Sequence, residues 1–97
     1  MNEFTWDEIK RRAVIAKHGL DFMDAVKVFF GPHLVVSARS ETERRQMAIG
    51  MLHGVVIAVV FTMRGEVCRI VTARRARQDE RERYHAHVSG RGAPEGR

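Results

Sequence analysis

One cysteine, Cys68, stands in 97 residues, which excludes an internal disulfide framework and a thiolate metal cage. A lone thiol suits a reducing compartment. Long apolar runs are missing too. The longest, Val55 to Met63, is nine residues interrupted by Thr62, well short of the roughly 20 that span a bilayer as a helix. The opening MNEFTWDEIK is acidic and polar where a signal peptide would be basic and then apolar. A cytoplasmic protein with no membrane partner is expected. There is no glycine-rich phosphate loop, no H-E-x-x-H and no G-x-S-x-G. His85 and His87 are two apart, so on a helix they point to different sides. Neither a metal site nor a cofactor is expected.

Positive charge is what the chain has in plenty. The formal net charge is +5 and the pI about 10.3, a balance that favours a polyanionic partner. Of the 17 cations, 14 are Arg and 3 are Lys. Arginine's planar fork makes two-point contacts with phosphate and stacks on bases, which lysine cannot do.

This length allows one domain with a modest core; residues 1–87 read as that domain and 88–97 as a flexible tail carrying three glycines and Pro94. Thr5 and Glu8 have capping-box spacing, with Phe4 and Ile9 placed as a hydrophobic staple. Trp6, Ile9, Ala13 and Ala16 then form one apolar stripe. Lys17 and His18 occupy the last turn, and Gly19 stops the helix. Asp21 caps a second short helix whose buried face is Phe22, Ala25, Val26, Phe29 and Phe30, ended by Gly31-Pro32.

The period then becomes strand-like. Strands are predicted near His33–Ala38, Arg44–Leu52, Val55–Met63 and Val67–Ala73, with a polar loop over Arg39–Glu43 and turns at His53-Gly54 and Arg64-Gly65. The third strand is apolar on both faces and should be central, with its second face needing cover from the last helix, a second subunit or a partner. Arg75 to His87 reads as a C-terminal helix. The fold class is therefore α+β: two N-terminal helices, a four-stranded antiparallel sheet and a C-terminal helix.

The chemistry-bearing candidates gather late in the chain. Arg64, Arg69, Arg74, Arg75 and Arg77 lie on the last strand, the turn before it and the start of the helix after it. Regular alternation sets Arg69 beside Val67, Val71 and Ala73, and Arg74 on the other face with Cys68, Ile70 and Thr72. Arg81 and Arg83 alternate with acids and read as a solvated helix face. Tyr84 shares a helix side with Glu80 and Arg81, and could stack on a base, donate a proton or simply pack. His18 has acid–base chemistry near neutral pH. Glu8, Glu43 and Glu80 are the carboxylates available as a base, and the sequence does not choose among them.

The chain resembles the BrnT-type toxins, the ribonuclease half of a bacterial type II toxin–antitoxin pair. The likeness rests on Phe4-x-Trp6-Asp7 with Lys10, Lys17-His18-Gly19, Phe22-x-x-Ala25 with Val28-Phe29, and Glu43-Arg44 leading to Ile49-Gly50. Its densest part is Val60-Phe61-Thr62-x-Arg64-Gly65 followed by Arg69-Ile70-Val71-Thr72-Ala73-Arg74-x-Ala76, ending in Glu80-Arg81 and Tyr84. Thr72 stands where the family usually has Ser, Val14 where an Asn is common, and Gly31 where an acidic residue is common.

The resemblance implies a RelE-like fold and a metal-independent endoribonuclease that cuts RNA and blocks translation. It implies a BrnA-like ribbon-helix-helix antitoxin, and a toxin–antitoxin complex, with room for a toxin dimer, that binds operator DNA through the antitoxin. On that reading Arg64, Arg69 and Arg74 stabilise phosphate, Thr72 orients, and Tyr84 or His18 handles a proton. Lys17, Arg44, Arg75 and Arg77 are RNA-binding candidates. The competing reading is a basic nucleic-acid-binding regulator without catalysis.

Overall fold

The chain enters as a strand. In the computed structural model, which describes residues 3–38 and 44–92, β1 (Glu3–Trp6) precedes α1 (Glu8–His18). The expected Thr5 cap is therefore replaced: Asp7 is the N-cap, its Oδ1 accepting the amides of Ile9 at 2.8 Å and Lys10 at 3.3 Å. Thr5 lies in β1, paired with Arg69 of a later strand. The staple fails with it, since Ile9 is 80% exposed and Phe4 packs instead on the rings of Phe29 and Phe30. Ala13 and Ala16 are exposed as well, and Val14 is the buried residue of α1. The stripe that faces inward is Arg11, Val14 and His18, at spacings of three and four on the other side of the helix.

Gly19 ends α1 in the left-handed conformation with its amide on the Ile15 carbonyl at 2.9 Å, and Asp21 caps the next helix through the Met23 amide at 2.9 Å. α2 (Phe22–Ala25) passes directly into a 3₁₀ segment, Val26–Phe30. Its period of three buries Phe22, Ala25 and Val28. An α-helical period would have buried Phe29 and Phe30; Phe29 is half-buried and Phe30 is 73% exposed. The Arg11 guanidinium locks α1 to α2, meeting Asp21 at 2.8 and 3.0 Å and Glu8 at 2.6 Å. These contacts pull the Asp21 carboxyl below its ordinary range, the Arg11 hydrogen bond contributing most.

The strands follow as β2 (His33–Ala38), β3 (Arg45–Leu52), β4 (Val55–Arg64) and β5 (Val67–Arg75). The His53-Gly54 turn has both residues at positive φ, 51° and 81°, the geometry that suits a two-residue hairpin. The next turn is Gly65-Glu66, one residue later than expected, with Gly65 at φ 60°. The sheet has five strands in the order β1-β5-β4-β3-β2, with β1 parallel to β5 and the other pairs antiparallel. The fifth strand is the addition to the expected antiparallel four. The loop expected over 39–43 and the candidate base Glu43 lie outside the described residues.

α3 (Gln78–Gly92) runs past the expected end at His87, so residues 88–92 are helical rather than tail; residues 93–97 lie outside the described set. α1, α2 and the 3₁₀ segment cover one sheet face, over Ile57, Val59, Phe61, Cys68 and Ile70. α3 covers the other, with Tyr84 packed on a cluster containing Met47, Ile49, Val56 and Ala58. The second face of β4 is thus covered from within the chain. Burial in the first layer raises the Cys68 thiol to about 11, leaving it protonated at neutral pH.

Candidate functional site

One residue of β5 has no counterpart in β4. Ile70 pairs with Phe61 and Thr72 with Val60, and the register shifts between them. Val71 is the extra residue of a β-bulge, which reverses the alternation from that point on. Ala73 consequently joins Cys68 and Ile70 in the first-layer core. Thr72 and Arg74, paired with Val60 and Ala58, turn to the α3 face. Arg69, paired with Thr62, was already there, as was Arg64, paired with Val67. The expected separation of Arg69 from Arg74 is corrected: Arg64, Arg69, Thr72 and Arg74 share one face, as a strip roughly 20 Å long at about 3.3 Å per residue.

These cations differ in how they are held. Arg74 is engaged on both sides of its fork: Nη1 donates to Glu80 Oε1 at 2.9 Å and Nη2 to Glu80 Oε2 at 3.0 Å. Nη1 also donates to the Arg75 carbonyl at 3.2 Å. Glu80 Oε1 accepts the Arg77 amide at 2.8 Å as well, which caps the start of α3. Hydrogen bonding from Arg74 holds the Glu80 carboxyl below its usual range despite the opposing effect of burial. An ion-paired carboxylate of this kind is a poor proton acceptor, so Glu80 acts as an anchor. Glu8 is likewise engaged, with Arg11 and Arg12 on α1.

Arg69 is half-buried, and its side chain has no hydrogen bond or ion pair to a described residue. It lines a cleft of ≈ 240 Å³ together with Asp7, Lys10, Arg45, Ile70 and Val71. The cleft lies where β1 stops opposite Ile70 and α1 begins. Thr62, the ladder partner of Arg69, is buried with its Oγ1 unpartnered. Lys10, Arg45 and Thr62 were not among the site residues expected from sequence. The first two come from α1 and β3, and only the sheet order brings them to Arg69.

Tyr84 is on the same side of the sheet, 5% exposed beneath α3, with the His85 ring edge-on at 5.2 Å between centroids. His18 and Lys17 are not brought to this group. They end α1, which packs through Val14 on the opposite layer. Arg44 and Arg45 line a second cleft with Ser37, Gln46 and Met63. Arg75 lines a third, near the start of α3, with Arg81 and His85, while Arg77 is exposed at the α3 cap. Arg81 also holds the Ala76 carbonyl at 2.8 Å. Among the described residues there is no group of three or more His, Cys, Asp or Glu that could hold a metal ion. No described helix is long and apolar enough to cross a membrane.

A family model described as the ribonuclease toxin, BrnT, of type II toxin–antitoxin systems matches residues 6–80. The chain belongs to this family. A solved relative agrees: the Brucella abortus ribonuclease toxin BrnT is 40% identical, with a TM-score of 0.66 over 80% of this chain and 100% of that one. No curated protein matches the chain. The chain is thus a ribonuclease toxin of the BrnT family, a type that implies RNA as substrate and an antitoxin as partner. Where the family commonly has Asn, Val14 is 4% exposed and adds to the apolar core. At Gly31 an added Cβ would meet nothing within 4 Å.

Proposed function

We propose that the protein is an endoribonuclease that cuts RNA without a metal ion and so blocks translation in the cytoplasm. The observation that carries the reading is the bulge at Val71, through which Arg64, Arg69, Thr72 and Arg74 share one face of the sheet. Arg74 on this strip is held by Glu80, and the guanidinium groups of Arg64 and Arg69 suit a phosphodiester chain, which carries one charge per nucleotide. In the reaction the 2′-oxygen attacks the adjacent phosphorus, its proton leaves, and the bond from phosphorus to the 5′-oxygen breaks as that oxygen gains a proton. The products are a cyclic phosphate and a 5′-hydroxyl. Negative charge develops on the phosphoryl oxygens, and Arg64 and Arg69 offset it. Thr72 orients a phosphate oxygen by hydrogen bonding. Arg74, tied to Glu80, is a positioning residue that fixes the end of the strip to α3. Tyr84, 5% exposed beneath α3, packs in the second apolar cluster and serves to seat α3 against this face. His18 is left out because of its place on the other layer.

The partner is a BrnA-like antitoxin with a ribbon-helix-helix region, and the complex, with a toxin dimer inside it, binds operator DNA through that antitoxin. The test is induced expression of the toxin alone and with the protein encoded beside it, following growth and total RNA. Growth arrest with RNA loss, relieved by the neighbour, is the expected result. Unchanged growth with intact RNA overturns the proposal.

A further inference from the structure

We infer that the cleft between the start of α1 and the bulge of β5 is a phosphodiester subsite, in which Lys10 and Arg45 join Arg69 in holding the RNA backbone. The inference rests on the reading of RNA as substrate and adds residues to it.

Three cationic side chains and one carboxylate line the cleft. The carboxylate, Asp7, already serves as the cap of α1 through its Oδ1. The basic side chains here differ in how they are engaged, and Arg45 has a contact of its own. Arg11 is held by Asp21 and Glu8, and Arg74 by Glu80. The side chains of Lys10 and Arg69 have no hydrogen bond or ion pair to a described residue. Lys10 and Arg69 reach one cleft from different elements, and a phosphate seated between them takes both charges beside the single carboxylate of Asp7.

The lining also says which part of RNA enters. It contains no aromatic ring, so a base has nothing to stack on. Its remaining walls are Ile70 and Val71, apolar surface that raises the strength of a charge contact. A volume of ≈ 240 Å³ accommodates a phosphate and part of a ribose, and falls below the roughly 300 Å³ at which small-molecule pockets begin. The subsite therefore holds backbone of any sequence.

The experiment measures binding of the full chain to RNA carrying 2′-O-methyl groups throughout, which cannot be cut, across a range of salt. An A-rich and a U-rich strand are compared. Lys10→Gln and Arg45→Gln are each expected to weaken binding equally on both strands and to lower the salt slope by roughly 0.7 to 1. Lys10→Arg should restore both. Arg12→Gln, at an exposed α1 position paired with Glu8, is the control expected to leave the slope unchanged. Wild-type slopes in both Gln variants, or loss on one strand only, would overturn the subsite while RNA binding by the wild type leaves the wider reading intact. No binding by the wild type would overturn the wider reading and the subsite with it.

Discussion

Arg74 of β5 and Glu80 of α3 meet fork to fork, at 2.9 and 3.0 Å, with the Glu80 side chain 9% exposed and the Arg74 side chain 25% exposed. Because Glu80 also accepts the Arg77 amide, one carboxylate both starts the last helix and fastens it to the sheet. The pair therefore separates two kinds of arginine on one face, and they should respond differently to substitution.

Glu80→Ala leaves a partly buried guanidinium unpaired and α3 uncapped, and should cost about 3–5 kcal/mol. Arg74→Ala should cost a similar amount. Arg69→Gln removes no side-chain hydrogen bond or ion pair to a described residue and should stay within about 0.5 kcal/mol of wild type. RNA cleavage should nevertheless fall by about 10²-fold for Arg69→Gln, the scale on which a transition-state charge partner is lost. Urea melts and cleavage assays on the three variants check the split. An Arg69→Gln protein that melts early but cuts normally would contradict it.

Acid should loosen the same joint. Glu80 and Asp21 are both held below their ordinary range by arginine hydrogen bonds. A depressed carboxyl contributes stability that is fully present above its unfolded value, about 4, and is lost as pH falls through the lower folded value. Stability from these two groups should thus be level from neutrality down to about pH 5 and decline below about pH 4. Glu80→Gln should be less stable at neutral pH and show a shallower acid decline, as read from melts across pH.

Thr62 buries an Oγ1 with no partner, a cost of about 1–3 kcal/mol for an unsatisfied hydroxyl. Thr62→Val keeps the shape and removes the hydroxyl. The variant should melt at a higher temperature, by several degrees if about 1 kcal/mol is recovered in a chain of this size. A lower melting temperature would mean that the hydroxyl has a partner in solution.

At Gly50 an added Cβ would lie 2.8 Å from Val28 Cγ1 and 3.3 Å from His33 Cβ. Gly50→Ala should destabilise by about 1–3 kcal/mol through overpacking between β3 and the 3₁₀ segment. Gly31→Ala, which meets nothing within 4 Å, is the matched control and should melt near wild type.

Much of this architecture was decided locally. β-Branched runs bounded by His53-Gly54 and Gly65 placed β2, β3 and β4 within a residue or so, because hairpin geometry depends on neighbours in sequence. Gly19 and Asp21 behaved as stop and start for the same reason. The run of family residues from Phe4 to Tyr84 was legible in one dimension, and with it the ribonuclease class.

What only the tertiary structure decided is everything that depends on a distant partner. Glu3–Trp6 became a strand because β5 offered an edge, and that displaced the helix cap to Asp7, while packing on the sheet chose Val14 as the buried residue of α1. The 3₁₀ segment exposed Phe30, since its period follows from packing and leaves no mark in a row of apolar residues. A bulge shifts every later side chain to the opposite face, yet nothing in Ile70-Val71-Thr72 announces which residue is extra. That one unpaired valine put Arg69 and Arg74 on the same face, and the sheet order then brought Lys10 and Arg45 to Arg69. The sequence by itself determined the basic groups and the strands that carry them; which of them face one another was left to pairings between residues far apart in the chain.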